Sequence, residues 1–232
     1  MVTYEEFTQR LSQIKANIAG ACTVSGRSAD DVTIVAVTKT FPASAIAMAV
    51  DAGLTNIGES KVQEAEPKIQ ELGPIARFHL IGHLQSNKAK KAVQIFDMVQ
   101  SVDSIRLAEE INRRAGEVGK RIDCLIEINS SGEAQKYGMS PEETERCIET
   151  ISKLPNIMLR GLMTIGPLSD DVNLIRSAFN LTSSLFAHGK EQAGSRFDTL
   201  SMGMSGDYQI AIEEGSTMIR LGSILFGSRI KA

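Results

Sequence analysis

Apolar runs and amphipathic segments alternate along the chain. Residues 32–38 (VTIVAVT) form an uninterrupted, β-branched run, which is typical of a strand covered on both faces. We predict further strands near 55–58, 77–81, 97–101, 122–128, 157–163, 197–200 and 217–221. Between them, apolar positions at helical spacing predict helices from Pro42 to Gly53 and near 60–71, 86–94, 104–117, 141–152, 171–188 and 205–214.

The strict alternation of strand and helix predicts an α/β protein with a parallel sheet. Six strands would suit an open, doubly wound sheet. Eight strands with seven intervening helices, within about 200 residues, fit a closed (β/α)8 barrel, the TIM barrel. We therefore expect residues 1–232 to form a single barrel domain.

An extra helix is predicted before the first strand. Thr3 and Glu6 have the spacing of a capping box. Apolar side chains then recur at helical spacing, at Phe7, Leu11, Ile14, Ile18 and Cys22. This helix would cover the bottom of the barrel or one of its flanks.

The charge and composition of the chain argue against nucleic acid and membranes as binding partners. The chain carries 25 basic and 28 acidic side chains, a net charge of -3, so it has no basic excess with which to follow a nucleic-acid backbone. No apolar stretch approaches the roughly 18 residues that span a bilayer. The acidic, amphipathic start MVTYEEFTQR is unlike a secretory signal. We expect a cytoplasmic protein that binds neither nucleic acid nor membrane and, since no long apolar edge requires a partner, a monomer.

The three cysteines, Cys22, Cys124 and Cys147, lie far apart and are odd in number. This spacing predicts small buried side chains in a reducing compartment. A disulfide framework or a zinc site is not expected from it.

The first predicted strand ends in Val37-Thr38-Lys39. Because side chains alternate along a strand, Lys39 would share the inward side with Val37. It would then lie at the carboxyl-terminal mouth of the barrel, where barrel enzymes place their chemistry. A lysine whose neutral amine is favoured there can form a Schiff base with an aldehyde. A lysine that merely begins a solvated loop fits the same pattern.

Two small-residue loops follow the last two predicted strands, where barrels often hold phosphate. The first loop begins at Ser201 and reads SMGMSGD, with Gly203, Met204 and Ser205 inside it; the second reads RLGS and contains Gly222 and Ser223. Glycines allow close backbone approach, and N–H groups at a helix start attract an anion. The alternative is a pair of ordinary turns, with Ser205 capping the next helix.

Arg220 shares a side of the eighth predicted strand with Met218, so it would point into the barrel. A buried arginine needs a partner. That partner is either a carboxylate, such as Glu59 or Asp103, or the ring nitrogen of a heterocyclic ligand. A permanently charged guanidinium would keep such a nitrogen unprotonated.

Histidines and methionines near the strand ends carry less specific signals. His79, Ile81 and His83 share one side of the third strand, which allows a polar cluster at the mouth, although the pattern favours loop and capping roles for the histidines. We expect no metal there, because no cysteine or third histidine joins them. Met163 ends the sixth strand and is either core filler or one wall of a ring pocket.

Four motifs together resemble a known family. They are AVTKTFPASAI, HLIGHLQSNK, LRGLMTI and SMGMSGDYQIAIEEGSTMIRLGSILFG. They resemble the pyridoxal phosphate homeostasis proteins, which are single-domain relatives of the barrel domain of alanine racemase. The resemblance extends from the opening helix to the C-terminus.

The resemblance implies a fold-type III barrel and a cytoplasmic protein that binds pyridoxal 5′-phosphate as an aldimine of Lys39. It implies that Arg220 faces the pyridine nitrogen. It also implies phosphate-holding positions at Ser201, Gly203, Met204, Ser205, Gly222 and Ser223. Members of this family have no established turnover, and they are implicated in holding the cofactor, in delivering it transiently to apo-enzymes, and in balancing amino and keto acid pools.

Two positions depart from the family pattern. Ser60-Lys61 replaces the usual asparagine and aromatic residue after Gly-Glu, and Gly166-Pro167 replaces a double proline, which would loosen that loop. The exact lining of the pocket near Ser60 is therefore open.

Two enzymatic alternatives also stay open. The first is a weak amino acid racemase with Lys39 as base, and the second is a Schiff-base aldolase acting on a sugar phosphate. We expect the first to be disfavoured, since the predicted barrel uses the whole chain and leaves no second domain to supply another base. A lysine cluster at Lys61, Lys88, Lys90 and Lys91 is either a second docking site or a solvated helix face.

Overall fold

A computed structural model describes residues 2–133 and 137–227 of the chain. The strands are β1 Thr33–Val37, β2 Asn56–Glu59, β3 Arg77–Leu80, β4 Met98–Val102, β5 Ile122–Ile128, β6 Ile157–Thr164, β7 Thr199–Ser201 and β8 Met218–Leu221. The helices are α1 Tyr4–Val24, α2 Ala43–Asp51, α3 Val62–Leu72, α4 Ala89–Ile95, α5 Ile105–Glu117, α6 Thr144–Ser152, α7 Val172–Ala193, α8 Tyr208–Glu213 and α9 Ser223–Phe226.

The eight strands close into one parallel barrel in the order of the sequence. Closure is made between β1 and β8, where Thr33 pairs with Met218 and Ala36 with Leu221. The predicted (β/α)8 barrel is therefore confirmed. Each strand lies within two residues of its predicted bounds.

Apolar side chains fill both sides of the strands. Residues such as Ala36, Ile57 and Leu80 face outward and belong to a continuous core shared with the surrounding helices. Met98, Leu125 and Met163 form a separate buried cluster. Since side chains alternate along each strand, this second cluster belongs to the barrel interior.

Helix α1 covers a flank of the barrel. Its capping box forms as predicted, with the Thr3 side chain accepting from the Glu6 N–H and the Glu6 side chain accepting from the Thr3 N–H. The ring of Phe7 lies 5.2 Å from that of Phe226 in α9. Asn17 donates to the Tyr208 hydroxyl of α8 at 2.9 Å. The helix therefore closes the outer layer beside the last two strands.

Strand β6 carries an irregularity that needs a glycine. The pairing with β5 shifts register between Cys124 and Leu125, and Gly161 beside it has a φ of 151°. A Cβ at Gly161 would lie 1.8 Å from the Thr199 carbonyl oxygen, so a side chain there is incompatible with the β6–β7 pair. After the bulge, pairing of β5 and β6 continues from Leu125 with Gly161 to Ile128 with Thr164.

Two further predictions concern cysteines and membrane spans. All three cysteines are buried and free, as expected. Among the described residues, no helix combines the length and apolarity needed to cross a bilayer.

Candidate functional site

A cavity of about 230 Å³ opens at the carboxyl-terminal ends of the strands. We call it the mouth cavity. It is lined by Val37, Lys39, Ile81, Ile165, Met204, Ser205, Gly206, Arg220, Gly222 and Ser223. Six of these were singled out from the sequence: Lys39, Met204, Ser205, Arg220, Gly222 and Ser223. The barrel thus brings together a lysine, an arginine and two small-residue loops from opposite ends of the chain.

Lys39 is half-buried and lies in a tight turn at the end of β1. The turn is closed by the Phe41 N–H, which donates to the Thr38 carbonyl at 3.0 Å. Thr40 has a φ of 69°, a left-handed conformation that costs a β-branched residue about 1–3 kcal/mol. Strain of this kind persists only where surrounding contacts hold it, so the conformation next to Lys39 is imposed by the fold.

The two small-residue loops leave several N–H donors unused. The N–H groups of Ser205, Gly206 and Ser223 have no acceptor within residues 2–133 and 137–227. The Ser205 hydroxyl joins the loops by accepting from the N–H groups of Gly222 and Ile224, both at 3.4 Å. Free donors converging with a hydroxyl on one cavity wall suit an anion such as phosphate.

Packing explains the glycine at one position of the first loop but not at another. A Cβ at Gly206 would meet no atom within 4 Å, so the space beside it is open. Gly203 has a φ of 95°, and a Cβ there would lie 2.6 Å from the Ala211 side chain. The close approach of α8 thus requires glycine at position 203. The absence of a side chain at Gly206 leaves room for a ligand.

Helix α8 is shorter than predicted. It begins at Tyr208, whereas the sequence predicted a helix from 205. The Met204 N–H donates to the Asp207 carboxylate, and the Asp207 N–H donates to the Met204 carbonyl at 3.2 Å. These bonds make residues 204–207 a turn, so Ser205 does not cap α8.

Arg220 lies on the floor of the mouth cavity and is 3% exposed. Its Nη1 donates to the carbonyl and the hydroxyl of Ser201 at 2.9 and 2.7 Å, and its Nη2 donates to the Thr164 carbonyl at 2.9 Å. A guanidinium has five N–H groups. Within the described residues two of them, on Nε and Nη2, have no acceptor and are available to a ligand.

Burial lowers the pKa of Arg220 to about 10, while the charges of Glu127 and Asp207 oppose the shift. The guanidinium therefore remains charged at neutral pH. The alternative of an ion pair with Glu59 or Asp103 is wrong. Glu59 pairs with Lys68 at 2.8 Å, and Asp103 contacts His83 at 2.9 Å.

A chain of buried hydrogen bonds fixes Arg220 from below. The Ser201 hydroxyl donates to Gln100 Oε1 at 2.7 Å, so it accepts from Arg220. Gln100 Nε2 donates to His79 Nδ1 at 2.9 Å, which leaves His79 Nε2 to donate to Asn56 Oδ1 at 3.0 Å. We call these five residues the barrel-core chain. Every link has one donor and one acceptor, provided that the imidazole is neutral.

The barrel-core chain also rules out the alternative of a histidine cluster at the mouth. His79 is fully buried, and burial together with the nearby Arg77 charge lowers its pKa to about 3. His83 lies at the rim, where its ring stacks on Tyr137 with centroids 3.9 Å apart. The two histidines therefore have separate environments.

Three of the residues singled out from the sequence do not line the mouth cavity: Met163, Ser201 and Gly203. Met163 is buried in the barrel interior, and Ile165 stands at the mouth in its place. The Ser201 hydroxyl is used within the barrel-core chain, and Gly203 packs under α8. The sequence correctly predicted that the two loops lie at the mouth of the barrel. The directions of the Met163 and Ser201 side chains depend on neighbouring strands, so the sequence did not reveal them.

Glu127 was not foreseen. It follows Leu125 on the inward side of β5 and is 6% exposed. Burial raises the pKa of its carboxyl to about 7, the Asp103 charge adds to the rise, and Arg220 opposes it. The signal was a single acidic residue in the otherwise apolar end of IDCLIEI.

The two departures from the family pattern lie beside the site. The Ser60 carbonyl is packed so closely against Gly82 that a Cβ there would approach it to 2.5 Å. A Cβ at Gly166 would come within 3.0 Å of the Phe179 ring, so the loop after β6 is closely packed at this glycine.

Comparison with known proteins gives a consistent result. The sequence matches the family described as "Alanine racemase, N-terminal domain" over residues 9–230. A pyridoxal phosphate homeostasis protein of Escherichia coli (strain K12) is 40% identical over 229 residues, covering 97% of this chain and 97% of that protein. The chain belongs to the pyridoxal phosphate homeostasis protein family.

Solved structures support the same placement. PipY of Synechococcus elongatus, a structure with PLP bound, superposes with a TM-score of 0.83 at 36% identity, covering 95% of this chain and 100% of that chain. An alanine racemase of Clostridium difficile gives a TM-score of 0.79 at 18% identity, covering 98% of this chain and 58% of that one. The second likeness shows the shared barrel fold alone.

The mouth cavity of this homeostasis-family protein fits pyridoxal 5′-phosphate in its donor set. An aldehyde requires an amine, a phosphate requires unused N–H donors, and a pyridine nitrogen requires a donor opposite it. Lys39, the loop N–H groups and Arg220 supply these three requirements. Val37, Ile81 and Ile165 supply apolar surface for a ring.

Proposed function

We propose that this protein holds pyridoxal 5′-phosphate in the mouth cavity as an aldimine of Lys39 and releases it to other acceptors. The Lys39 amine adds to the cofactor aldehyde, forming one carbon–nitrogen double bond and releasing one water. The reverse reaction with water, or exchange with another amine, frees the cofactor. The observation that carries the proposal is the arrangement of Lys39, the unused loop N–H groups and Arg220 around one cavity.

Each part of the site has a separate role in this proposal. The N–H groups of Ser205, Gly206 and Ser223, with the Ser205 hydroxyl, hold the phosphate. One of the two Arg220 N–H groups available to a ligand donates to the pyridine nitrogen. Ser201 acts through Arg220, since its hydroxyl already has two partners in the barrel-core chain.

The same arrangement favours storage of the cofactor over catalysis. A protonated ring nitrogen makes this cofactor an electron sink for carbanion chemistry. A charged guanidinium opposite that nitrogen disfavours its protonation. The related E. coli protein is named a pyridoxal phosphate homeostasis protein, which supports a role in cofactor supply. We extend the proposal to the balance of amino and keto acid pools, because the family resemblance implies it. Apo-enzymes that need the cofactor would be transient partners, and the three free, buried cysteines support a reducing, cytoplasmic location.

The first test is chemical trapping. The protein is mixed with pyridoxal 5′-phosphate, reduced with borohydride and mapped by peptide mass. We expect a visible absorbance band on mixing and the label on Lys39, with both lost in Lys39→Ala. Lys153→Ala is the control, because Lys153 is an exposed lysine directly after α6 that pairs with Glu149 at 2.7 Å, away from the mouth cavity, and its loss should leave both unchanged. A label on another lysine, or no uptake of the cofactor, would overturn the proposal; no uptake would favour the aldolase alternative.

A turnover assay separates storage from the racemase alternative. D- and L-alanine are incubated with the loaded protein, and interconversion is followed over many equivalents. We expect no steady turnover. Steady racemisation that disappears in Lys39→Ala would show an enzyme with Lys39 as base.

A further inference from the structure

A buried ion-pair network lies behind the turn that carries Lys39. We call it the Lys68 network, made of Thr38, Glu59, Glu64 and Lys68. The Lys68 ammonium donates to Glu59 Oε1 and Glu64 Oε1, both at 2.8 Å, and to the Thr38 carbonyl at 3.0 Å. These three bonds use all three protons of the ammonium. The network therefore has one fixed arrangement.

The network holds the residues on both sides of Lys39. Before it, the Thr38 hydroxyl donates to Glu59 Oε1 at 2.6 Å, and the Thr38 carbonyl accepts from Lys68. After it, the Thr40 N–H donates to Glu64 Oε1. Thr40 is the residue with the left-handed φ of 69°. The strained conformation is thus fixed by a carboxylate from α3.

Stability alone does not account for this arrangement. Lys68 is 8% exposed and Glu59 is fully buried, and buried ion pairs often contribute less to stability than apolar side chains of the same volume. Glu59 Oε2 is buried without a hydrogen-bond partner in the described part of the chain, and burial raises the pKa of this carboxyl. Such an incompletely satisfied group indicates a use other than stability.

We propose that Glu59, Glu64 and Lys68 are positioning residues, which lock the Thr38–Thr40 turn so that Lys39 presents its amine to an aldehyde in the mouth cavity. The inference rests on the proposed function of Lys39 and deepens it. The network contacts the backbone of the turn, and none of its three charged residues lines the cavity. Its loss should therefore impair bond formation at Lys39 without impairing the binding of ring and phosphate.

Two ligands separate these effects. Pyridoxal 5′-phosphate carries the aldehyde, whereas pyridoxine 5′-phosphate has the same ring and phosphate with an alcohol in its place. Affinity for each ligand and the rate of appearance of the visible band are measured for wild type, Glu64→Ala and Glu66→Ala. Glu66 is the matched control, because it also lies on α3 and pairs with a lysine, Lys91, at 2.6 Å without touching the turn.

We expect Glu64→Ala to slow formation of the visible band by about tenfold to a hundredfold, the size of effect that misplacement of a reacting group produces. Its affinity for pyridoxine 5′-phosphate should stay within about twofold of wild type. This change is small, since a tenfold change in affinity corresponds to about 1.4 kcal/mol of binding free energy. Glu66→Ala should change neither quantity. Glu64→Gln, which keeps an oxygen acceptor for the Thr40 N–H, should recover part of the rate.

An equal loss for both ligands would overturn the inference, as would an unchanged rate in Glu64→Ala. If Glu64→Ala fails to fold, the rate of band formation and the affinity for pyridoxine 5′-phosphate are measured for Glu64→Gln and Thr38→Val. Thr38→Val removes the hydrogen bond from the Thr38 hydroxyl to Glu59. Failure of the proposed function looks different. In that case wild type itself forms no band, or the band survives in Lys39→Ala.

Discussion

Glu127 shows how one buried side chain links the proposed site to pH. The carboxyl lies near Arg220 and Asp103 at the inward end of β5, where burial raises its pKa to about 7. In the unfolded chain the same carboxyl has a pKa of about 4.5. Between these values the folded state binds more protons at this carboxyl than the unfolded state, so the contribution of Glu127 to stability falls as pH rises through that window.

Substitution of Glu127 should therefore have a pH-dependent effect on stability. We expect the free energy of unfolding of Glu127→Gln, relative to that of wild type, to increase as pH rises from about 4.5 to about 7. The increase should reach up to about 3 kcal/mol. The measurement is urea denaturation of the cofactor-free protein at several pH values. Thr164→Val is the control: it alters a non-titrating neighbour of Arg220, so its offset should not change with pH. A constant offset for Glu127→Gln would contradict the buried, proton-binding carboxyl.

Single residues were foreseen from the sequence where a local rule applied to them. Lys39 and Arg220 follow from strand alternation at a barrel mouth, and both line the cavity. Lys68 and Glu64 were missed, although their four-residue spacing on a predicted helix was visible. That spacing usually indicates a solvated pair. Burial of Lys68 behind β1 depends on how α3 packs, which no local pattern contains.

At the scale of elements, the eight strands were predictable and their irregularities were not. A continuous apolar run identifies β6, but it does not reveal the register shift beside Gly161. The end of β6 supplies the Thr164 carbonyl that accepts from Arg220 and the Ile165 side chain that lines the mouth cavity. The positions of Thr164 and Ile165 at the site therefore depend on the backbone conformation at Gly161.

A side chain at Gly161 should disrupt the barrel. We expect Gly161→Ala to lower the free energy of unfolding by about 3 kcal/mol or more, because the Cβ meets the Thr199 carbonyl at 1.8 Å and φ is 151°. Chemical denaturation measures the change. Gly20→Ala in α1 is the control; a Cβ there meets nothing within 4 Å, so a gain of about 0.5–1 kcal/mol is expected. Similar values for the two variants would show that β6 tolerates a side chain at this position.

At the scale of the whole molecule, the barrel-core chain joins the bottom of the barrel to its mouth. Asn56, His79, Gln100, Ser201 and Arg220 come from five different strands. Their contacts exist only after the barrel closes, so no segment of sequence could predict them. This is also why Ser201 was expected at the phosphate and lies instead beneath Arg220. The fold was predictable from periodicity, whereas the support of the site depends on closure.

Closure around a neutral imidazole should make the entire fold sensitive to acid. Burial lowers the pKa of His79 to about 3, against 6.5 for an exposed imidazole, so between these values the unfolded chain binds more protons. This contribution to stability is lost as pH falls, by about 1.4 kcal/mol per pH unit once pH is well below 6.5. The sign is opposite to that of Glu127, whose contribution grows over part of the same range.

His79→Gln isolates this contribution. At neutral pH we expect the variant to be less stable than wild type by about 1–3 kcal/mol, because the barrel-core chain loses well-placed partners. As pH falls from about 6.5 the difference should shrink and then reverse, because glutamine binds no proton in the unfolded chain. Asn56→Ala is the matched control: it breaks the same chain but keeps the buried imidazole, so its deficit should persist in acid. Parallel pH curves of stability for His79→Gln and wild type would mean that His79 has the same pKa in the folded barrel as in the unfolded chain. His79 would then bind a proton in the folded state, and the fixed donor order from Asn56 to Arg220 would be wrong.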